Sequence, residues 1–429
     1  MNDRIGQLLM KVVTARERLI DLSNSVLTTG EYREQFMAQP EGKQPIVKVN
    51  GCGLIDEDER LQPLVSTYLS LNLRKKQIAF ASVKSYASRL SLLLQDLKTN
   101  VEFEGCYRDD AFLSVTIGRL ETYLANLAAN GLAPKTIQTR DAAHLHFFSK
   151  FLCRSFDGQP ALREDNPYED GMLWTGKANT LGIVQPSSLS ELEQLILHAL
   201  SERERCLIQA VYDSGTRVSE VPRITLQGVR DALDFHKLRF VASSGDFPLQ
   251  PDYCPLHIAG SKGRRDQIKP RITLVSRTVL ERIDAYHRTP LYRKFAKKYE
   301  SPESTPAFFN AHGTPHTTKS VEKLFERTSK RALKAGKVRR AISPHKLRHG
   351  GAYAILGSPD LGQSYLDRLV TLTKSYGHNS ETTSEGYTLI PYDIFQKLSE
   401  PNAVLKTKAG EMHTLRERTT KRIRTGDVK

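Results

Sequence analysis

Between residues 82 and 97 the chain reads "SVKSYASRLSLLLQDL", and its apolar positions Val83, Tyr86, Ala87, Leu90, Leu93, Leu94 and Leu97 recur at steps of three and four. An α-helix, with 3.6 residues per turn, gathers such a set onto one side, so the stretch predicts a helix with one dry face and one wet face. That face has to be covered by a partner. The flanking sequence offers partners of the same kind. A second helical pattern runs from Thr116 through "IGRLETYLANLAAN" and stops at Gly131, a residue suited to the left-handed turn that ends helices. Pro134 suits the first turn of a further helix through "KTIQTRDAAHLHFFSKFL". Residues 58 to 155 are therefore expected to form an all-α helical bundle.

The chain has 429 residues, enough for two or three compact units at roughly 150 residues each. It carries 63 Lys and Arg against 48 Asp and Glu, a formal net charge of +15, so its surface field favours a polyanionic partner such as nucleic acid. Lys84, Arg89, Lys135 and Arg140 fall on polar positions of the bundle helices and are candidate phosphate contacts. The first residues lack the unbroken apolar stretch of a signal peptide, because Lys11, Arg16 and Arg18 interrupt it. No apolar run approaches the ~20 residues of a membrane span. Cys52, Cys106, Cys153, Cys206 and Cys254 are odd in number and show no CxxC spacing, so neither a disulfide framework nor a zinc site is expected. A reducing, cytoplasmic, nucleoid-associated location fits these features, with no membrane partner.

Elsewhere the organisation is coarser. Residues 4 to 24 place Ile5, Leu8, Leu9, Val12, Val13, Leu19 and Ile20 at approximately helical spacing, which predicts an N-terminal helical extension or arm over 1–57. Residues 156–186 lose periodicity and read as an interdomain linker. Ser188 and Glu191 have capping-box spacing ahead of an apolar helical stripe, so a second domain opens there. Within it "KLRFVA" and "PRITLV" suggest short strands around the turn "GSKGRR", followed by mainly helical sequence to 398. Residues 399–429 read as a basic tail, or an arm docked elsewhere.

Cutting and rejoining a DNA backbone without metal or ATP needs a nucleophile at phosphorus, cations on the non-bridging oxygens and an acid for the leaving oxygen. Four places offer those groups. In "YDSGTRVSEVPRITL" Arg217 follows Gly215, with Glu220 near enough to orient its guanidinium. In "GSKGRRDQIKPRITL" Lys262 lies in a hairpin turn that could enter a DNA groove, with Arg264 and Arg265 beside it as DNA contacts and Lys269 as its rival. In "ISPHKLRHGGAY" His345 and Arg348 are three apart and share a helical face. His345 and His349 have the spacing of a metal pair, but the sequence supplies no third ligand, and no metal is expected. In "KSYGHNSETTSEGYTLI" His378 and Tyr387 are nine residues apart, about half a turn out of phase on one continuous helix. Gly377 and Gly386 break that helix, allowing both to face one site.

In order, Arg217, Lys262, the His345-x-x-Arg348 pair, His378 and Tyr387 resemble the signature of the tyrosine recombinase, or phage integrase, family. "SGTRVSEV", "HKLRHG" and "YGHNSETTSEGY" carry the likeness, with Tyr376 standing where the family commonly has leucine before Gly-His. The resemblance implies a mainly α catalytic domain with a small β-sheet or hairpin (α+β) over 187–398. It implies an all-α, SAM-like core-binding domain over 58–155, the two forming a C-shaped clamp on DNA. It also implies site-specific recombination or integration, as in mobile genetic elements, through a 3′-phosphotyrosine intermediate and a Holliday junction.

Residue by residue, the likeness makes Tyr387 the nucleophile, Arg217 and Arg348 the phosphate clamp, and His345 and His378 the phosphate and proton partners. Lys262 becomes the acid for the leaving 5′-oxygen, and Glu220 the support of Arg217. No cofactor is implied. The implied partners are double-stranded DNA with specific recombination sites, three further copies of the chain in a synaptic tetramer assembled from monomers or dimers, and an accessory directionality protein. Alternatives are type IB topoisomerase-like strand cleavage and a non-catalytic DNA-binding relative.

Overall fold

The computed structural model describes residues 10–21, 46–75, 78–155, 158, 160–176, 185–238, 252–262, 268–377 and 406–420. The described residues divide into two compact units, one before residue 182 and one after residue 183. Among the described residues no helix is long and apolar enough to cross a membrane. All five cysteines are free thiols.

The first unit joins a β-ribbon to a helical bundle. Strands β1 (Lys11–Asp21) and β2 (Ile46–Ile55) pair antiparallel, with an irregularity between Ala15 and Arg18. The helix expected over residues 4 to 24 is therefore corrected to a strand from Lys11 onward. Val12, Val13 and Thr14 are β-branched and stiff in a helix, and Met10 and Val12, two apart, pack against the core in the period of a strand. Pairing with β2 settles the competition in favour of the strand. Cys52 and Leu54 are buried, and the Leu54 amide donates to Ser66 Oγ at 3.0 Å on the first helix.

The helices are α1 (Pro63–Arg74), α2 (Phe80–Lys98), the short α3 (Ala111–Ser114), α4 (Ile117–Ala129) and α5 (Pro134–Phe147). A π-helical turn over Phe148–Leu152 extends α5. Val83, Ala87, Leu90, Leu93, Leu94 and Leu97 of α2 are fully buried, each worth roughly 1.5–3 kcal/mol for the larger side chains. Gly131 takes φ 77° and ends α4 as expected, and Pro134 begins α5. Within the expected linker, residues 163 to 174 are an exception. Arg163 Nη1 donates to the Phe112 carbonyl at 3.1 Å, Tyr168 Oη donates to Asp141 Oδ1 at 2.9 Å, and the Trp174 amide donates to Asp141 Oδ2 at 2.8 Å. Residues 163 to 174 are thus fastened to the bundle by single polar anchors, which leave no periodic trace in sequence.

The second unit is built around α7 (Glu202–Ser214), whose residues from Cys206 to Ser214 are all buried. Ahead of it α6 (Leu189–Leu197) begins with the expected capping box between Ser188 and Glu191. Helix α8 (Leu226–Leu238) is followed, after undescribed residues that include most of "KLRFVA", by β3 (Tyr253–Lys262) and β4 (Ile268–Ser276). These pair antiparallel, so "PRITLV" is a strand as expected, while its partner is "YCPLHIAGSK". Then come α9 (Arg277–His287), α10 (Pro290–Ala296), α11 (Thr318–Lys334), α12 (Pro344–Leu356), α13 (Tyr365–Tyr376) and α14 (Lys408–Thr419). The unit is mainly helical with a small two-stranded sheet, the α+β class expected. The tail over 399–429 is corrected in part, because α14 docks on its own unit: Met412 and Leu415 belong to the core shared with α6 and α7.

Helix α12 lies against α7 through two glycines. A Cβ on Gly351 would meet the Tyr212 carbonyl oxygen, and one on Gly350 would meet the Ser187 carbonyl oxygen. Backbone cannot give way as a side chain can. Gly351→Ala should therefore destabilise the protein by at least about 1–3 kcal/mol, since the ~1 kcal/mol gained in helix propensity does not offset such overpacking. Urea unfolding would read the change, and a variant as stable as wild type would contradict this account of the packing.

Candidate active site

Helix α7 ends at Gly215, whose φ of 58° is the left-handed turn a glycine accepts without strain. Two residues on, the Arg217 amide donates to Glu220 Oε2 at 2.8 Å and Arg217 Nη1 donates to Glu220 Oε1 at 3.0 Å. The Glu220 side chain is fully buried, whereas that of Arg217 keeps 35% of its surface exposed. The carboxylate thus holds the guanidinium from behind and leaves its outer side toward solvent.

Helix α12 starts at Pro344, with Ser343 Oγ capping the Lys346 amide. His345 sits on its exposed first turn, while Arg348, one turn further, is buried. Arg348 Nη1 donates to the Gly215 carbonyl, its Nη2 donates to the Tyr376 carbonyl at 3.0 Å, and its guanidinium lies 4.2 Å from the Tyr376 ring centre. Burial lowers the Arg348 pKa to about 10, which leaves it cationic at neutral pH. His345 is held below the ordinary histidine range by burial and by the nearby charges of Arg348 and Arg217. It is therefore neutral at pH 7 and able to accept a proton. Its Nε2 lies 3.0 Å from Nε2 of His349. Among the described residues no group of three or more His, Cys, Asp or Glu could hold a metal.

The structure thus brings Arg217, Glu220, His345 and Arg348 together. Lys262 stands at the end of β3, paired with Ile268, and Lys269 is exposed on β4. His378, Tyr387, Arg264 and Arg265 lie outside the described residues. On the first unit, Lys84, Arg89 and Arg140 line one recess between α2 and α5 together with Ser85, Ser88 and Thr139. Lys135 is not part of it and instead donates to Gln138 Oε1 at 3.1 Å.

Two neighbours complete the site: Tyr376, which the sequence marked only as standing where leucine is common, and Arg271, which escaped the sequence reading. Tyr376 is fully buried, donating from its Oη to the Arg348 carbonyl at 3.0 Å, with its ring over Gly215 and Gly351. Arg271 on β4 is also buried: its Nη2 and Nε meet Glu220 at 2.6 and 3.2 Å, and its Nη1 donates to the Ser375 carbonyl. A signal for Arg271 exists in the alternation of "PRITLV". Arg271, Thr273 and Val275 face inward, while Ile272 is 59% exposed. The arginine shares the phase of a core valine.

The phage integrase family model matches residues 188–388. The tyrosine recombinase XerD of Agrobacterium fabrum is 26% identical over 330 residues, spanning 73% of this chain and 87% of that protein. XerC of Pelotomaculum thermopropionicum is 24% identical over 290 residues, spanning 66% and 80%. The solved structure of the XerH site-specific recombinase bound to its palindromic difH substrate, a post-cleavage complex, has a similar fold. Its TM-score is 0.51 at 18% identity, with 76% of this chain and 80% of that one covered.

Proposed function

We infer that this chain, a member of the phage integrase family by residues 188–388, is a tyrosine-type site-specific DNA recombinase. One observation carries the reading: Arg217 and Arg348, from separate elements, converge beside a neutral His345, with Glu220 buried behind them. Two cations and a proton acceptor at one point match a phosphodiester whose non-bridging oxygens gain charge during displacement.

In the proposed reaction Tyr387 Oη attacks the scissile phosphorus, its proton passing to His345 or His378. The bond to the 5′-oxygen breaks, and Lys262 supplies the proton that makes it a 5′-hydroxyl. The strand is left as a 3′-phosphotyrosine, which keeps the phosphodiester energy. Attack by the 5′-hydroxyl of a second duplex reverses the chemistry, so two rounds pass through a Holliday junction held by four copies of the chain. No nucleotide or metal enters the balance. The recess lined by Lys84, Arg89 and Arg140 would grip DNA phosphates on the first unit.

The test is a nicked suicide substrate made from DNA flanking the gene, incubated with the protein in EDTA without nucleotide. A covalent protein–DNA adduct that survives denaturation is expected. Tight, specific binding without any adduct would mean a DNA-binding protein that does not cut.

A further inference from the structure

We propose that Arg271 is a positioning residue for strand cleavage, tying Glu220, and through it Arg217, to the turn that leads into His378. The proposal rests on the recombinase reading above. Glu220 is fully buried and takes four N–H contacts, from the Arg217 amide, Arg217 Nη1, Arg271 Nε and Arg271 Nη2. A carboxylate facing Arg217 alone would cancel the positive charge offered to a phosphate. With Arg271 as a second cation on the same carboxylate, the cluster of three keeps one net positive charge. Arg217, the more exposed of the two arginines, is where that charge meets solvent.

Arg271 also holds the end of α13 mechanically. Helix α13 ends at Gly377, in the left-handed conformation, and its last carbonyls lack partners within the helix. Arg271 Nη1 takes the Ser375 carbonyl and Arg348 Nη2 the Tyr376 carbonyl. Two guanidiniums therefore grip consecutive carbonyls at a helix C-terminus, where positive charge is favoured. Packing fixes the turn further, since Arg271 Cδ lies 2.9 Å from where a Cβ on Gly377 would stand. His378 is the next residue in the chain. Arg271 thus ties Glu220 to the end of α13, as Arg348 ties the Gly215 carbonyl to it.

The test compares single-turnover cleavage with DNA affinity for wild type, Arg271→Lys and Arg271→Ala on the suicide substrate. Arg271→Ala is expected to bind DNA as wild type does but to cleave about a hundredfold more slowly, the scale of a misplaced reacting group. Arg271→Lys, which keeps the charge and loses the fork, should fall between. Added guanidinium should restore part of the Arg271→Ala rate by entering the vacated space. In a Glu220→Gln background the further loss from Arg271→Ala should shrink, because the part that runs through Glu220 is already gone and only the hold on the Ser375 carbonyl is left to lose. Unchanged cleavage in Arg271→Ala overturns the proposal. So does a loss that only follows the folded fraction measured by circular dichroism, or one that is undiminished in the Glu220→Gln background. Wild type that forms no adduct removes the recombinase reading itself, and the proposal with it.

Discussion

Tyr387→Phe is expected to bind its DNA site with wild-type affinity and to form no covalent adduct. The change removes one oxygen. Affinity rests mainly on phosphate contacts by arginine and lysine, which the change leaves in place. In the proposed reaction covalent cleavage rests on that oxygen, and loss of a nucleophile from an otherwise intact site costs about a millionfold in rate, in practice the whole reaction. The structure narrows what a surviving adduct would mean. Tyr376, the other tyrosine of "KSYGHNSETTSEGYTLI", is fully buried, its hydroxyl bonded to the Arg348 carbonyl and its ring beneath the Arg348 guanidinium. It cannot reach a phosphate without unpacking the site. An adduct formed by Tyr387→Phe would therefore point to Tyr392 as nucleophile. In wild type, adduct formation should persist to lower pH than an ordinary histidine allows and then fall as His345 gains a proton. The sign follows from its pKa being held down, since in the proposed reaction the neutral ring accepts the phenolic proton.

What the sequence made legible was whatever repeats locally or sits at a fixed short spacing. The α2 stripe from Val83 to Leu97, the capping box of Ser188 and Glu191, and the pairing of Arg217 with Glu220 are all set by residues a few positions apart. The features that escaped depend on single partners far along the chain. β1 is a strand because β2 pairs with it, although its apolar spacing also suits a helix. Residues 163 to 174 look like a linker until Asp141 receives Tyr168 and Trp174. Arg271 reads as an ordinary charge on a strand until Glu220, 51 positions earlier, and Ser375, 104 positions later, close on it. The family resemblance supplied roles for the site but not this inner layer.

The largest stability effect is expected at a lysine that composition would place in solvent. Lys408 and Asp213 are both fully buried, with Nζ 2.7 Å from Oδ1, and Asp213 also receives the Ser276 amide at 2.6 Å and its hydroxyl at 2.8 Å. Lys408→Met removes the countercharge while keeping most of the volume, leaving a buried carboxylate with two hydrogen bonds alone. Breaking a buried pair in this way costs about 3–5 kcal/mol. Spread over a unit of this size, the loss should lower the melting temperature by roughly 10 °C. A protonated or neutral partner changes the balance: Asp213→Asn combined with Lys408→Met should recover most of the loss, because no unpaired charge then remains. Function should follow position. Asp213 lies one turn before Arg217, and α14 also holds α7 and α9 through the bonds from Gln209 Nε2 to the Met412 carbonyl and from Arg282 Nη1 to Thr419 Oγ1. Cleavage by Lys408→Met should therefore fail at temperatures near its own melting point and recover on cooling, whereas Tyr387→Phe stays inactive at every temperature. If Lys408→Met melted within a degree of wild type, α14 would not be docked through this pair in solution.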